Sequence, residues 1–337
     1  MPMTFNRRQA LLAGSAAASF LVPTFKANAA EFSLKFGNSV PADHPTNIAA
    51  QLAADRIKKE SGGRVELNVF PSNQLGADTD MLSQARSGAL DFYCSSAPVL
   101  GSLIPVVSVS GIGFAFKDYD TLWAALDGDL GAHVRSAIPQ AGLIAMDKMW
   151  DYGFRQITTT SRPINTAEDL QRLKIRVPVS TLWQSLFKAF GAAPVGINFA
   201  ELYSALQTRL VEGQENALPL IKISKLYEVQ KYCSLTNHMW DGVWILTNKT
   251  KWNAMPPAVR ELVARNFDLA AIEQRRMIAD LNVSAQVELE KAGLIFNKPD
   301  TASFRAALTK ANFYSEWKGK IGADTWAILE KYAGSLA

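Results

Sequence analysis

Two alternating patterns of apolar and polar residues run through the first third of the chain and predict a strand–helix–strand order. Segments patterned like strands are residues 34–40, 65–70 and 89–94. Segments with helical spacing separate them, at residues 48–60 and 79–87, and glycine follows each. This order indicates a parallel sheet with crossover helices. Ligands bind beyond the carboxyl ends of such strands, which fall at residues 38–44, 71–78 and 95–99.

A second α/β rhythm follows between residues 142 and 237. Its predicted elements are strand 143–149, helix 166–173, strand 174–177, helix 181–190 and helix 199–208. A further strand is expected at residues 243–247. The chain therefore reads as an α/β protein, and its 337 residues allow two domains.

Residues 258–292 contain neither glycine nor proline, which is unusual for a stretch of 35 residues. Prolines precede it and Gly293 follows it, as expected for the start and end of a helix. At about 1.5 Å per residue, one helix here would measure about 50 Å and span more than one domain. Two helices with a break near residues 282–284 are the alternative.

The first 29 residues have the layout of an export signal. Arg7 and Arg8 precede an apolar, small-residue stretch over residues 10–22, and Ala-Asn-Ala at residues 27–29 matches a signal-peptidase site. The arginine pair predicts twin-arginine export, with an ordinary secretion signal as the alternative. We expect cleavage after about Ala29 and a periplasmic protein, because the apolar run is too short to span a bilayer.

The composition mainly argues against certain classes of function, such as nucleic-acid binding, metal binding and catalysis. The net charge is +4, from 35 basic and 31 acidic residues, but residues 1–29 hold three of the basic ones and no acid, so 32 − 31 leaves +1. Without a concentrated basic patch, no nucleic-acid partner is expected. With three His and two Cys, we expect no metal and no cofactor. Cys94 and Cys233 are expected to be buried and unpaired, with a disulfide between them as the alternative. The familiar catalytic motifs are missing, so we do not expect an enzyme.

Two arginines stand where an α/β sheet places its ligand. Arg176 lies at the end of the predicted strand 174–177, and Arg155 lies just after another strand. A guanidinium in such a position can hold a carboxylate through two parallel hydrogen bonds. A structural salt bridge is the alternative for each residue, and position alone leaves both interpretations open.

A motif further along favours the first interpretation. Residues 199–216 read FAELYSALQTRLVEGQEN, after KIRVP at residues 174–178 and NQLG at residues 73–76. In this order the segments resemble the extracytoplasmic solute-binding subunits of TRAP transporters, the DctP family, from residue 34 to beyond residue 297. The resemblance implies a two-lobed periplasmic binding-protein fold, with hinge strands between the lobes and a long helix that spans both. Family members close on one organic acid and deliver it to membrane permease subunits.

The resemblance also implies roles for individual residues. Arg176 is expected to be the principal carboxylate clamp, and Arg155 a second cationic contact. Asn216 is expected to add an amide near the same carboxylate, and Phe199 to cover the ligand from one side. Asp78 matches a position that contacts ligand hydroxyls in some members.

Five more side chains are candidates for the cleft. His44 precedes a proline, as in many organic-acid binders, with an exposed turn histidine as the alternative. Ser96 stands where the family's sialic-acid binders carry glutamate, so we expect another ligand. Trp240 and Asp241 lie on opposite faces of the strand that crosses between lobes, and which face meets the ligand stays open. Trp150 would add an aromatic wall.

The expected lobes interleave along the chain. Residues 30–153 with 242–280 form lobe I, and residues 154–241 with 281–337 form lobe II. A C4-dicarboxylate or small hydroxy acid is the first-choice ligand, with a sugar acid or an aromatic or keto acid as alternatives. The protein is expected to be a monomer. An accessory that presents its ligand to a signalling receptor, or an exported enzyme using carboxylates, are the competing functions.

Overall fold

The computed structural model describes residues 30–336, so the expected export signal at residues 1–29 lies outside the described residues. The strands are β1 (Phe32–Gly37), β2 (Val65–Phe70), β3 (Phe92–Ser96), β4 (Leu143–Ala145), β5 (Trp150–Thr159), β6 (Lys174–Val177), β7 (Ala193–Gly196), β8 (Gly213–Ala217), β9 (Tyr232–Ser234), β10 (Trp240–Asn248) and β11 (Ile295–Asn297). The α-helices are α1 (Pro45–Glu60), α2 (Asp78–Ser87), α3 (Ala97–Leu100), α4 (Tyr119–Leu126), α5 (Asp129–Ala137), α6 (Thr181–Ala189), α7 (Leu202–Gln207), α8 (Leu218–Ile223), α9 (Lys249–Ala254), α10 (Pro257–Lys291), α11 (Thr301–Lys310), α12 (Phe313–Ile321) and α13 (Ala323–Ala333). Short 3₁₀ helices cover Pro105–Gly111, Ile138–Ala141, Ala167–Leu170, Phe199–Glu201 and Leu226–Glu228.

The strands form a mixed sheet in the order β2-β1-β3-β10-β5-β8-β6-β7. At one end β1 runs parallel to both β2 and β3, and at the other β6 runs parallel to β7 and β8. Between these parallel halves, β10 and β5 run antiparallel to their neighbours. The α/β class and the parallel arrangement predicted for β1, β2 and β3 are confirmed.

Two long strands are shared by the two halves of the sheet. β5 pairs with β10 between Trp150 and Phe154, and then with β8 from Arg155 to Thr159. β10 in turn leaves β5 at Val243 and continues alongside β3. These strands are therefore hinge connections between two lobes. Their pairing slips by one residue, which leaves Tyr152 in a bulge beside Gly153, whose φ of +111° suits glycine.

Local predictions hold best where the pattern is strongest. β2 and β6 have the predicted bounds, whereas α1 begins at Pro45 instead of residue 48. The predicted strand 143–149 is wrong in extent, because β4 ends at Ala145 and a separate strand, β5, begins at Trp150. Arg155 consequently lies within β5 and not after a strand. The predicted helix 166–173 is reduced to a single 3₁₀ turn.

The long helix is continuous. α10 runs for 35 residues from Pro257 to Lys291, so the alternative of a break near residues 282–284 is wrong. Its first half packs against α1, where Glu273 accepts hydrogen bonds from Arg56. Its second half packs against α8, where Glu288 pairs with Lys222. α10 therefore contacts both lobes, as predicted.

Within residues 30–336, no helix has both the length and the apolar character needed to cross a bilayer. Cys94 and Cys233 are both buried and free.

Candidate ligand-binding site

A small cavity of about 40 Å³ lies between the two halves of the sheet, at the hinge strands. Its lining residues come from both lobes: Ser39, Val40, Asp78, Ser96, Val99, Tyr152, Arg155, Arg176, Pro178, Phe199, Asn216, Leu220 and Asp241. Larger surface grooves exist, such as the one lined by Lys188 and Glu316, but these charged residues are exposed. The cavity at the hinge is where buried charges meet, and we take it as the site.

Arg176 reaches this cavity from β6 as a buried cation whose partners are incomplete. The side chain is 1% exposed, and its Nε donates to the carbonyl oxygen of Ile197 at 2.8 Å. Its Nη1 is buried and has no hydrogen-bond partner among residues 30–336. Burial and the nearby charge of Arg155 lower the pKa of Arg176 to about 10. A carboxylate oxygen in the cavity would satisfy the free N–H and offset the charge.

Arg155 is equally buried but fully engaged by acids of the protein. Its Nε and Nη2 donate to the two carboxylate oxygens of Glu215 at 2.5 and 2.7 Å, and Nη1 donates to Asp241 at 2.8 Å. Nη2 also donates to the backbone oxygen of Glu215. Burial would raise the pKa of Glu215, but Arg155 and a bond with His238 lower it. Arg155 thus ties β5 to β8 and β10 at the hinge.

Asp241 and Ser96 extend this network toward lobe I. The Ser96 hydroxyl, at the end of β3, donates to Asp241 Oδ1 at 2.6 Å, while Asp241 Oδ2 accepts from Arg155. Burial raises the pKa of Asp241 to about 6 against the opposing charge of Arg155. The question of which face of β10 meets the cavity is answered: it is the face of Asp241.

Asp78, Phe199 and Asn216 complete the predicted set at the cavity. Asp78 begins α2, and its carboxylate accepts from the Tyr93 hydroxyl at 3.3 Å and from the Phe199 backbone N–H at 3.4 Å. The Phe199 ring lies 5.9 Å from the Arg176 guanidinium carbon. Asn216, on β8, donates to Gln214 and lines the cavity beside both arginines.

Three other predicted residues lie away from the cavity lining. Trp150 and Trp240 are 0% and 1% exposed and belong to the hydrophobic core, where Trp150 packs on Phe36 and Trp240 donates to Asp151. The aromatic wall expected from Trp150 is therefore core packing, because neither indole lines the cavity.

His44 is buried, so the alternative of a solvent-exposed turn residue is wrong. Its Nδ1 accepts from the Thr46 N–H and caps α1, and its ring meets the edge of Tyr152 at 5.4 Å. Burial lowers the pKa of His44 to about 3, so the imidazole is neutral. It stands behind the cavity residue Tyr152 and does not itself line the cavity.

Sequence reasoning missed Glu215, the acid that engages Arg155. Glu215 stood in the quoted motif directly before Asn216, and its charge next to two candidate arginines was the available signal. Pairing across β5, β8 and β10 brings these side chains together.

The cavity can bind an anion and orient it. No group of three or more His, Cys, Asp or Glu within the described chain is placed to hold a metal ion. His238, the ring nearest the charges, is neutral because burial lowers its pKa, and it contacts Glu215, not the cavity. Charge and hydrogen bonding are what this site offers.

Comparison with known proteins gives consistent matches. Residues 36–316 match the family model described as DctP, bacterial extracellular solute-binding protein, family 7. The 2,3-diketo-L-gulonate-binding periplasmic protein YiaO of Escherichia coli K12 is 30% identical over 277 residues, which cover 82% of this chain and 84% of that protein.

Two solved structures have the same fold. The sugar acid binding protein DctPAm of Advenella mimigardefordensis, in complex with galactonate, superposes with a TM-score of 0.86 at 28% identity, covering 92% of this chain and 100% of that one. A TRAP periplasmic solute binding protein of Sulfurospirillum deleyianum with bound succinate superposes with a TM-score of 0.84 at 27% identity, covering 90% and 99%.

Proposed function

The chain belongs to the DctP family of bacterial extracellular solute-binding proteins, and we propose that Arg176 is the clamp through which it captures its ligand. It is a TRAP solute-binding protein for an organic acid, with the two-lobed fold of that group. Members of this family serve transport and are not enzymes. In our proposal this chain likewise binds its acid, leaves it unchanged and hands it to TRAP permease subunits in the membrane.

One observation carries the proposal. Arg176 is a buried guanidinium with an unpartnered Nη1 in a cavity built by both lobes. A ligand whose carboxylate binds this residue on β6 would reach the other lobe through its other polar groups, such as a hydroxyl that donates to Asp78 at the start of α2. Ligand binding selects the closed state only as far as the ligand bonds both lobes. A membrane partner can then distinguish the ligand-bound, closed protein from the open one by its shape.

The lobe boundaries follow from the same hinge. We assign residues 30–153 and 242–280 to lobe I and residues 154–241 and 281–337 to lobe II. The change of partner along β5 between Phe154 and Arg155 supports the first boundary, and the departure of β10 from β5 near Val243 supports the second. The periplasmic location of relatives supports export, and we propose a twin-arginine signal cleaved after about Ala29.

A thermal-shift screen against a library of carboxylic acids tests the clamp. We expect at least one acid to raise the melting temperature of the parent protein, and Arg176→Ala to abolish that shift while the ligand-free variant stays folded. Arg176→Lys should also bind weakly, because an ammonium lacks the two-pronged geometry. Arg276→Ala, which removes an exposed arginine of α10, is the matched control. Unchanged binding by Arg176→Ala would refute the assignment, and no shift from any acid would refute the function.

A further inference from the structure

The cavity contains two buried arginines, and of these two only Arg176 has a buried nitrogen without a hydrogen-bond partner in the described chain. All three nitrogens of Arg155 already donate to Glu215 or Asp241. Arg176 spends only its Nε on a backbone carbonyl and keeps a buried Nη1 without a partner in the described chain. A carboxylate is the natural complement of that free N–H. The site therefore has one position for a carboxylate, beside Arg176.

Asp78 and Ser96, two polar residues of the lining, accept hydrogen bonds more readily than they donate them. Asp78 receives two long hydrogen bonds, at 3.3 and 3.4 Å, which leaves lone pairs of its carboxylate free. The Ser96 hydroxyl spends its proton on Asp241 and can only accept from a ligand. Hydroxyl groups of a ligand would satisfy such acceptors, whereas a second carboxylate would face Asp78 without a cation.

The charge balance agrees with this geometry. Arg155 and Arg176 contribute two positive charges, and Asp78, Glu215 and Asp241 contribute three negative ones, so 2 − 3 gives −1 when all are ionised. The other titratable groups nearby add no charge, because burial raises the pKa of Tyr93, Tyr152 and Cys94 and lowers that of His238. A singly charged ligand adds one negative charge to this set, and a dicarboxylate adds two.

We propose that the cavity accepts one carboxylate and selects against a second, so that the ligand is a hydroxylated monocarboxylic acid, and that Asp78 is the residue that makes this selection. The proposal rests on the organic-acid function above and narrows it. It reverses the preference for a C4-dicarboxylate that the sequence suggested, because Arg155 is not free to hold a second carboxylate. Arg176 orients the acid end, and Asp78 accepts from hydroxyls at the other end.

Matched ligand pairs test the selection by calorimetric titration of the purified protein. D-erythronate and meso-tartrate share carbon chain and stereochemistry and differ only in a terminal CH₂OH or carboxylate, as do galactonate and galactarate at six carbons. In whichever pair binds, we expect the dissociation constant of the monocarboxylate to be at least tenfold lower than that of the dicarboxylate. A dicarboxylate that binds equally well or better overturns the inference and leaves the organic-acid function intact. If neither pair binds, the tightest acid from the thermal-shift screen decides instead: an acid with a second carboxylate or without a hydroxyl overturns the inference and leaves the organic-acid function intact. If no acid binds at all, the proposed function fails too.

Variants assign the selection to its residue. Asp78→Asn keeps the size of the side chain and removes its charge, so we expect tighter meso-tartrate binding and weaker D-erythronate binding. The ratio of the two dissociation constants should then fall below threefold. Asp280→Asn makes the same chemical change at an exposed position of α10 and should keep the parent preference. Melting curves establish that both variants are folded. An unchanged preference in Asp78→Asn would refute the role of Asp78.

Discussion

Arg155 and Arg176 provide a sharp test of the site, because both are buried but only Arg155 is bonded to acidic side chains. They are 2% and 1% exposed, yet Arg155 is bonded to two acids and Arg176 to one backbone carbonyl. Replacing either residue by methionine keeps most of the volume and removes the charge. The same substitution should therefore have very different effects on the stability of the ligand-free protein.

The expected magnitudes follow from what each change leaves behind. Arg155→Met strands Glu215 and Asp241 as buried acids without their cation, and breaking such a pair costs about 3–5 kcal/mol. Arg176→Met leaves the Ile197 carbonyl without a donor, which costs about 1–3 kcal/mol, but it also removes a buried cation that no acid contacts. These two effects oppose each other, so we expect a net change below about 1 kcal/mol.

Urea unfolding without ligand measures both free energies, with the slope against denaturant as a check that the same surface unfolds. For a chain of about 300 residues, 1 kcal/mol corresponds to about 1.5 °C in melting temperature, so Arg155→Met should melt at least about 4 °C lower. Adding Glu215→Gln to Arg155→Met should recover part of the loss by removing a stranded charge. Equal losses in the two single variants, or a further additive loss in the double variant, would show that the network does not act as described.

Two further predictions concern other parts of the chain. Burial lowers the pKa of His44 from 6.5 to about 3, so between those pH values only the unfolded imidazole takes up a proton. This proton uptake should cost about 2 kcal/mol of folding free energy at pH 5. His44→Asn retains a capping side chain, and in the same unfolding assay it should lose less stability than the parent between pH 7 and pH 5. Replacing Arg7 and Arg8 by lysine should leave the precursor in the cytoplasm when fractions are immunoblotted, and continued export would favour an ordinary secretion signal.

Much of the fold is readable from the sequence because its elements have local causes. The alternation of β2 and the missing glycine and proline in α10 each predict one element without reference to the rest of the chain. β5 was misjudged because its residues are buried on both faces, so no alternation marks where it begins. Its bulge at Tyr152 depends on pairing with β10, about 90 residues later.

The site, like the fold, has residues that the sequence predicts and residues whose state depends on strand pairing. The positions of Asp78, Phe199 and Asn216 at the cavity followed from the resemblance to the DctP family, and that of Arg176 followed from the resemblance and from its place at a strand end. The state of Arg155 could not, since its acid partners are 60 and 86 residues away and reach it only through strand pairing. Trp150 and Trp240 illustrate the converse, because an aromatic residue near a cleft in sequence most often faces the core.

The different pairing of the two arginines connects stability with recognition. Arg155 lies where β5 changes partner from β10 to β8, and its acids come from β8 and β10, so its charge is spent on holding the hinge in register. Arg176 lies on β6, outside that crossing, and its buried Nη1 has no hydrogen-bond acceptor in the described part of the chain. A ligand that supplies this acceptor stabilises the folded state by an amount that grows with its concentration relative to its dissociation constant. Because both lobes line the cavity, we expect an acid held by Arg176 to favour the closed arrangement when its hydroxyls also bond Asp78 on the other lobe.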